Sequence, residues 1–288
     1  MSDLGAIPFR KMNGFGNDFV VVDVRARAIP FSDAVVRAIA NRETGIGCDQ
    51  FILIERPRAG GDCFMGIRNA DGNEVEACGN AARCIASLML DETGKAEVTV
   101  ETIGAITKGW RAESGDITVD MGAPKLGWQQ IPLSEEIRDT RGIELQIGPI
   151  DDPILHTPAV VNMGNPHAIF FVDDVNKVDL TQVGPLLENH PMFPERANIS
   201  LAHVTDRGHM ELKVWERGVG LTQACGTAAC AAAVAGARKR LTDRTSIVSL
   251  PGGDLQLEWR KSDDHVLMTG PATFDYDGVL DARFFEAA

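Results

Sequence analysis

Apolar runs broken by short polar turns recur along this chain and predict many short strands with few helices. Residues 17–23 form a run without polar alternation, which is typical of a strand buried on both faces. Residues 33–41 have the apolar spacing of an amphipathic helix, with Ser32 or Asp33 as its cap. This mixture of short strands and occasional helices predicts an α+β protein.

The same patterns predict the remaining elements. We expect strands at 51–54, 63–69, 168–172, 199–204, 210–216, 246–250, 254–260 and 265–269, and helices at 79–91, 181–189 and 226–240. Residues 97–121 are expected to form short strands around glycine turns, residues 217–222 a turn, and the proline- and glycine-rich residues 124–150 a crossing between domains. Because the helix of 226–240 is apolar over most of its first ten residues, we expect the sheet of its own half to enclose it.

A six-residue motif occurs twice, 147 residues apart, and each copy opens an alanine-rich run that is typical of a helix. The first copy, at 77–82, reads ACGNAA, and the second, at 224–229, reads ACGTAA. Each copy therefore places one cysteine, Cys78 or Cys225, at the start of a helix. The duplication indicates two equivalent thiols.

Polar positions ahead of each motif repeat with matched spacing. The residues are Asn17, Gln50, Asn69 and Cys78 in the first half and Asn165, Asn198, Glu216 and Cys225 in the second. In both halves the first and second lie 33 residues apart, and the third and fourth lie nine apart. The repeat predicts two homologous domains of ordinary size, residues 1–125 with 271–288 and residues 126–270.

Composition narrows the class of protein. The 288 residues are 44% hydrophobic and carry a net charge of −13, so a nucleic-acid partner is not expected. No apolar run is long enough to predict a membrane span, and the first residues do not resemble a secretory signal. We expect a cytoplasmic protein whose six cysteines are reduced.

The spacing of the cysteines argues against a metal site. Cys78 and Cys84 are six residues apart, Cys225 and Cys230 are five apart, and there is no Cys-x-x-Cys pair. On a helix neither pair shares a face, whereas structural zinc usually uses closer ligand pairs. We expect no metal and no disulfide framework.

The start of a helix favours the thiolate form of a cysteine, because unpaired backbone N–H groups and the helix dipole point there. The dipole contributes about 0.3–1 kcal/mol. If the two halves face each other, both thiols cannot ionise easily, since like charges oppose each other. One thiolate and one thiol form the base and the acid that an inversion of a carbon centre requires.

The residues after each cysteine indicate an anion site. Gly79 and Gly226 let a ligand approach the backbone closely, and the amides of Gly79–Asn80 and Gly226–Thr227 could together hold a carboxylate. Such a site would also stabilise the charge that develops when an α-proton leaves.

Each of these residues also has a structural interpretation. We interpret Cys48, Cys63, Cys84 and Cys230 as small buried apolar residues. The asparagines of the repeat could be turn residues, His167 could be structural, and Glu216 and Arg217 could form exposed ion pairs. The matched spacing of the asparagines in the two halves favours contact with a ligand instead.

The motifs of this chain resemble those of the diaminopimelate epimerase family, which are highly specific. The resemblance covers nearly the whole chain and rests on KMNGFGNDF at 11–19, NADG at 69–72, ACGNAARC at 77–84, MGNPH at 163–167, FPERAN at 193–198, ERG at 216–218 and QACGT at 223–227. It implies two pseudo-symmetric domains, each a curved, mostly antiparallel sheet around a central helix, with the active site in the cleft between them. Asn13, Ala81 and Leu221 depart from residues that are common in the family.

The resemblance implies a cofactor-independent isomerase that converts LL-2,6-diaminopimelate to the meso isomer, for lysine and peptidoglycan precursor synthesis. Cys225 would remove the α-proton as a thiolate, and Cys78 would return a proton as a thiol, with His167 and Glu216 supporting the reacting centre. The groups expected to hold the reacting carboxylate and ammonium are Gly79, Asn80, Gly226, Thr227, Asn17 and Asn165. Those expected to hold the rest of the substrate are Gln50, Asn69, Asn198 and Arg217. Tyr276 matches a dimer-interface tyrosine, which implies a homodimer.

Two other functions are compatible with parts of this pattern. A proline or hydroxyproline racemase tends to have Cys-Gly-His at the first site, whereas this chain has Cys78-Gly79-Asn80, and Arg217 would have no second carboxylate to bind. A non-catalytic thiol switch or amino-acid-binding protein would keep its function in a Cys78→Ala variant, whereas the enzyme would lose it.

Overall fold

A computed structural model describes residues 5–76 and 78–286. Ala77, which opens the first copy of the repeated motif, therefore lies outside the described residues, as do the first four and last two residues of the first predicted domain. Contacts divide the chain into one unit of Met1–Val119 with Gly270–Ala288 and another of Asp120–Thr269. The predicted boundaries were 125/126 and 270/271.

The described residues contain short strands and five helices, as the patterns predict. The helices are α1 Asp33–Ala40, α2 Gly79–Thr93, α3 Leu180–Glu188, α4 Gly226–Arg238 and α5 Arg283–Glu286. The strands are β1 Pro8–Gly14, β2 Asn17–Asp23, β3 Gln50–Glu55, β4 Cys63–Asn69, β5 Glu74–Val75, β6 Glu97–Glu101, β7 Ile106–Arg111, β8 Ile117–Asp120, β9 Gln146–Ile147, β10 Leu155–His156, β11 Ala159–Asn162, β12 Pro166–Phe171, β13 Asn198–Asp206, β14 His209–Glu216, β15 Gly220–Thr222, β16 Thr245–Leu250, β17 Gly253–Trp259, β18 Val266–Gly270 and β19 Thr273–Val279.

In the first unit the strands pair in the order β19, β1, β2, β3 and β4. One end of β4 then pairs with β5 and the other with β6, which continues to β7 and β8. Two of these pairings, β2 with β3 and β4 with β6, are parallel, and the others are antiparallel. Helix α1 connects the first parallel pair, and α2 lies in the connection between β5 and β6.

Counted from β1, the second unit repeats this order, with β11 to β18 in the places of β1 to β8 and none of its described strands in the place of β19. Strands β11 to β14 pair in sequence, β14 pairs with both β15 and β16, and β16 continues to β17 and β18. The parallel pairings again occur at the second and third strands and at β14 with β16, with α3 and α4 in the equivalent connections. The predicted duplicated α+β fold is thus confirmed.

Helix α4 is the centre of the second unit. It packs against β11, β12, β13, β14, β16 and β17, and ten of its residues are buried. Six adjacent strands span about 24 Å whereas a helix is about 10 Å wide, so the sheet must curve to touch one helix with all of them. The expectation that the apolar helix of 226–240 is enclosed by its own half is confirmed.

Helix α2 packs against β1, β6 and β7 of the first unit. Gly14, at the end of β1, permits this approach, because a Cβ there would lie 2.8 Å from the backbone oxygen of Asn80 and 3.2 Å from Cys84 Sγ. The opposite side of the sheet carries α1, whose Val35, Val36 and Ile39 share a core with Val20 and Val22 of β2. Cover on both faces explains why β2 is apolar without alternation.

The segment 124–150 is not the expected crossing between domains. It lies within the second unit, where Ile131, Leu133, Ile143 and Leu145 are buried in one core with the apolar face of α3. The chain between 124 and 150 is mostly irregular, so its apolar side chains show no helical or strand periodicity. Their burial in this core therefore could not be predicted from the sequence pattern.

Several strands were not predicted, among them β1, β11 and β19. Strand β1 pairs with β2 and, through a register irregularity between Lys11 and Met12, with β19 near the other end of the chain. The predicted turn at 217–222 includes the short strand β15. At the start of α1, Ser32 is the cap and accepts a hydrogen bond from the amide of Val35.

Four cysteines are buried, as expected for small apolar residues. Burial raises the pKa of Cys48 to about 11 and those of Cys63 and Cys84 to about 12, so these thiols stay protonated. Cys230 is fully buried in α4. None of the described helices is long and apolar enough to cross a membrane.

Candidate active site

The parallel strand pair of each unit brings the repeated polar residues to one edge of the sheet. In the first unit Asn17 begins β2 and Gln50 begins the parallel β3, while Asn69 ends the antiparallel β4. In the second unit, Asn165 directly precedes β12, Asn198 begins β13 and Glu216 ends β14. Starts of parallel strands and the end of an antiparallel neighbour lie side by side, so each unit gathers three polar positions.

Each cysteine of the repeat is the N-cap residue of the central helix of its unit. Cys78 precedes α2 and Cys225 precedes α4, both with an extended backbone, at φ −147° and ψ 112° and at φ −140° and ψ 105°. Neither side chain makes a capping hydrogen bond. The amides of the first helical turn, which begins at Gly79 or Gly226, are therefore not capped by the residue that usually does so.

Cys78 contacts a neutral amide group of the first unit. Its Sγ donates to Asn17 Oδ1 over 3.9 Å. At the same edge of the sheet, Gln50 Nε2 donates to Asn69 Oδ1 over 3.1 Å, and Gln50 Oε1 is buried with no hydrogen-bond partner among the described residues. Asn80, in the first turn of α2, is buried and accepts a bond from Arg83.

The second unit places ionisable groups in the equivalent region. His167 is fully buried, and its Nε2 lies 2.7 Å from Asn165 Oδ1, so Nε2 carries the proton and Nδ1 is an acceptor. Asn198 accepts from the amide of Arg217 over 3.0 Å, and the guanidinium of Arg217 donates to the carbonyl of Glu195 over 2.8 Å. His167 Nδ1, also buried, has no hydrogen-bond partner in the described part of the chain.

Burial changes the pKa values of His167 and Glu216. Together with the positive charge of Arg217, it lowers the pKa of His167 from 6.5 to about 3, so the imidazole is neutral near pH 7. Burial raises the pKa of Glu216 above its usual 4.5, and a hydrogen bond with Cys225 partly offsets this. Cys225 Sγ also lies 3.5 Å from Thr227 Oγ1. Cys225 therefore has a buried carboxyl group as a hydrogen-bond partner.

The two halves differ at equivalent positions. Phe19 pairs in register with Gln50 as His167 does with Asn198, and each lies two residues after an asparagine of the repeat. Asn69 and Glu216 likewise end equivalent strands. The ionisable His167 and Glu216 of the second half thus correspond to an aromatic and an amide residue in the half of Cys78.

The patterns missed two carboxylates that organise these regions. Asp49, directly before β3, accepts from the side chain of Asn17. Glu188, at the end of α3, is buried and accepts from Trp215 Nε1 over 2.8 Å, from the amide of Gly218 over 2.9 Å and from Arg196. A weak signal existed for Asp49, since it adjoins a residue of the repeat.

Tyr276 lies apart from these residues, on β19, where its ring meets that of Phe9 edge to face. No group of three or more potential ligands in residues 5–76 and 78–286 could hold a metal ion. Apart from Tyr276, the predicted site residues of each half lie in one region of that half, at the edge where its parallel strands begin and its central helix starts.

Comparison with known proteins identifies the family. The sequence model described as diaminopimelate epimerase matches residues 9–127 and 159–275. The chain belongs to the diaminopimelate epimerase family. The two matched segments correspond to the two repeats, and the predicted resemblance is confirmed.

Relatives named diaminopimelate epimerase match over the full length. That of Afipia carboxidovorans is 56% identical over 289 residues, which span 100% of this chain and 99% of the relative. That of Nitrobacter hamburgensis is 54% identical, spanning 99% of each. The predicted enzyme class, an amino-acid isomerase, is confirmed.

Solved structures share the fold at low identity. A phenazine biosynthesis protein of the PhzF family from Bacillus anthracis has a TM-score of 0.66 and 16% identity, covering 96% of this chain and 100% of its own. A hydroxyproline epimerase from Agrobacterium vitis, solved with bound trans-4-hydroxy-L-proline, has a TM-score of 0.64 and 15% identity, covering 97% and 94%. At this identity the likeness concerns the fold alone.

The buried neutral His167 should make stability depend on pH. Its folded pKa of about 3 lies below the unfolded value of 6.5, so in that window the unfolded chain binds a proton that the folded chain does not. The free energy of unfolding should therefore fall as pH falls, by roughly 3 kcal/mol from this residue between pH 7 and pH 4. Urea unfolding of the protein and of His167→Asn over this range measures the difference.

The variant should lose this part of the pH dependence, whereas the exposed His156→Asn should retain it. Parallel stability curves for His167→Asn and the unchanged protein would show that His167 binds its proton equally in both states.

Proposed function

We propose that this protein converts LL-2,6-diaminopimelate to meso-diaminopimelate without a metal or cofactor, with Cys225 as the base and Cys78 as the acid. One observation carries the assignment of roles. Cys225 has the ionisable Glu216 as a hydrogen-bond partner, whereas Cys78 donates to the amide oxygen of Asn17. A carboxyl group can take up the proton and then donate a hydrogen bond to the thiolate, whereas an amide oxygen can only accept from the thiol.

The proton of Cys225 has a defined path. Burial raises the pKa of Glu216, which makes its carboxylate a better acceptor of the thiol proton than an exposed one, and once protonated it can donate a hydrogen bond back to the thiolate at the start of α4. The dipole of that helix stabilises the negative sulfur by about 0.3–1 kcal/mol. The thiolate then removes the α-proton of the LL substrate, and Cys78 delivers its own proton to the opposite face of the carbon.

The amides of Gly79, Asn80, Gly226 and Thr227 would hold the α-carboxylate, because they head helices whose N-cap side chains make no capping hydrogen bond. The same amides stabilise the charge that spreads onto the carboxylate when the α-proton leaves. Asn17 and Asn165, at the starts of the parallel strands, would complete the contacts to this end of the substrate.

Two buried acceptors support a substrate that carries ammonium groups. Gln50 Oε1 and His167 Nδ1 have no hydrogen-bond partner in the described residues, and an unbonded buried acceptor costs about 1–3 kcal/mol. N–H groups of a bound ligand would satisfy them. Diaminopimelate brings two ammonium groups, one at each of its centres.

Arg217 would bind the distal carboxylate. Its backbone is held by Asn198 and its Nη1 by the carbonyl of Glu195, which leaves the other face of the guanidinium fork available for a planar anion. Asn69 and Asn198 would contact the same half of the substrate. A monocarboxylate substrate would give Arg217 no partner.

The roles of the two cysteines are tested by isotope exchange with LL-diaminopimelate in D2O, with no added cofactor. Cys225→Ala should abolish exchange of the α-proton of the LL isomer, since the base is lost. Cys78→Ala should abolish inversion, with losses of about 100-fold or more in each variant, yet still exchange deuterium into the LL isomer with retention. Mass spectrometry and chiral chromatography report the two processes separately.

Cys63→Ala, which changes a buried thiol away from the helix starts, is the matched control and should retain exchange and inversion. Exchange of the LL isomer by Cys225→Ala but not by Cys78→Ala would reverse the roles. Activity restored only by added metal or pyridoxal phosphate would reject the cofactor-independent reaction.

Arg217→Ala should reduce kcat/KM for diaminopimelate by about 100-fold, because a charge-assisted carboxylate contact contributes about 1.5–3 kcal/mol. The rate of α-proton exchange of a monocarboxylate analogue should change far less. Arg138→Ala removes an exposed arginine of the same unit and should affect neither. Equal losses on both substrates would give Arg217 a structural role instead.

A homodimer is the proposed assembly. Tyr276 is 47% exposed on β19, where Phe274 at 51% and Val279 at 59% are also exposed, and exposed large apolar side chains on one strand are typical of a protein contact. Light scattering at low concentration should show a dimer for the protein and a shift towards monomer for Tyr276→Ala. An unchanged mass would exclude Tyr276 as an anchor.

The cytoplasm is the proposed compartment. No disulfide links any of the six cysteines, all of which lie in the described residues, and a reducing compartment would keep them so.

A further inference from the structure

Three hydrogen bonds converge on the carboxylate of Asp49, which directly precedes β3. Oδ2 accepts from Asn17 Nδ2 over 2.8 Å and from the amide of Asp18 over 3.0 Å. Oδ1 accepts from Arg42 Nη2 over 2.6 Å. The side chain is 39% exposed, so it is held by these contacts rather than by burial.

The bond from Asn17 settles how its amide is oriented. An ionised carboxylate only accepts, so the group of Asn17 that faces Asp49 must be the NH2. The amide oxygen then points the other way, where it lies 3.9 Å from Cys78 Sγ. An amide oxygen can interact favourably with a thiol that donates S–H, whereas it repels a thiolate.

The geometry points to Asp49 as a positioning residue that acts through Asn17 to keep Cys78 protonated. Asp49 acts through its hydrogen bond with Asn17 Nδ2, which selects the end of the Asn17 amide that meets the sulfur. The inference deepens the proposed function, since it explains how one of two equivalent cysteines remains the acid.

The second half has no such device. Ala197 occupies the position before Asn198 that Asp49 occupies before Gln50. There the amide oxygen of Asn165 accepts from His167 Nε2 over 2.7 Å. The orientation imposed by a carboxylate is therefore specific to the half of Cys78.

Other charged groups secure the network. Burial opposes ionisation of Asp18, but hydrogen bonds from Arg42 and Lys11 outweigh it and hold the pKa of Asp18 below its usual range. Lys11 also donates to the carbonyl of Gly47, which fixes the chain between α1 and β3. On α2 itself, the ionisable groups that follow Cys78 most closely in sequence are the buried Arg83, which donates to Asn80 Oδ1, and the buried Cys84, whose raised pKa keeps it neutral. These contacts would survive the loss of Asp49.

The test measures the protonation of Cys78 without substrate or turnover. In a Cys225→Ser background, the rate of alkylation of Cys78 by iodoacetamide is followed against pH by peptide mass spectrometry, because only the thiolate reacts. Asp49→Asn should let the Asn17 amide turn its NH2 towards the sulfur. The alkylation profile should then move to lower pH, with a rate about three- to tenfold higher at pH 7.

A double-mutant cycle separates this route from a direct effect of charge. Asn17→Ala should shift the profile in the same direction, and adding Asp49→Asn to Asn17→Ala should cause no further shift. Glu43→Gln removes one exposed negative charge from the same connection and should leave the profile unchanged. Thermal melting checks that each variant is folded. Asp49→Ser is a second substitution at the same position, in case Asp49→Asn does not fold.

An unchanged profile in folded Asp49→Asn and Asp49→Ser would overturn the inference. So would a further shift from Asp49→Asn in the Asn17→Ala background, which would show that the charge acts directly. An equal shift in Glu43→Gln would also overturn the inference, because it would show that any lost negative charge in this connection has the same effect. Because alkylation needs no substrate, these results are independent of whether the protein epimerises diaminopimelate.

Discussion

The parallel pairing of β2 with β3, and of β12 with β13, within a mostly antiparallel sheet is the constraint on which each half depends. An antiparallel hairpin would place the starts of β2 and β3 at opposite edges, but the crossover through α1 brings Asn17 and Gln50 together. The same holds for β12 and β13 through α3. The central helix then adds its cysteine to that group, so one topological choice, made twice, assembles both sets of polar groups.

The duplication gives both halves the same arrangement of strands and helices, and sequence differences between the halves give them different ionisable groups. In the proposed reaction the two cysteines differ in protonation, although both lie at the start of a helix. His167 and Glu216 occupy the positions of Phe19 and Asn69, so a buried carboxyl group contacts the sulfur of Cys225, whereas the amide of Asn17 contacts that of Cys78. Two similar backbones therefore present different electrostatic environments.

This arrangement costs stability. A buried neutral imidazole and a buried carboxyl group whose pKa is raised both oppose folding at some pH, because the unfolded chain solvates them better. Extensive burial of the alanine-rich helix α4 and of the core beneath α3 offsets this cost. In the first half, the ion pairs of Lys11 and Arg42 with Asp18 fix the chain before β3.

The sequence by itself determined the duplication, the class of fold, most of the strands and helices, and the two cysteines at helix starts, because these depend on short-range patterns and on exact spacing. Tertiary structure alone decided the packing of 124–150 and the pairing of β1 with β19, which join distant residues without a periodic signal. It also decided the tautomer of His167 and the orientation of Asn17. A hydrogen bond depends on which atoms meet across strands, and residue spacing does not specify that.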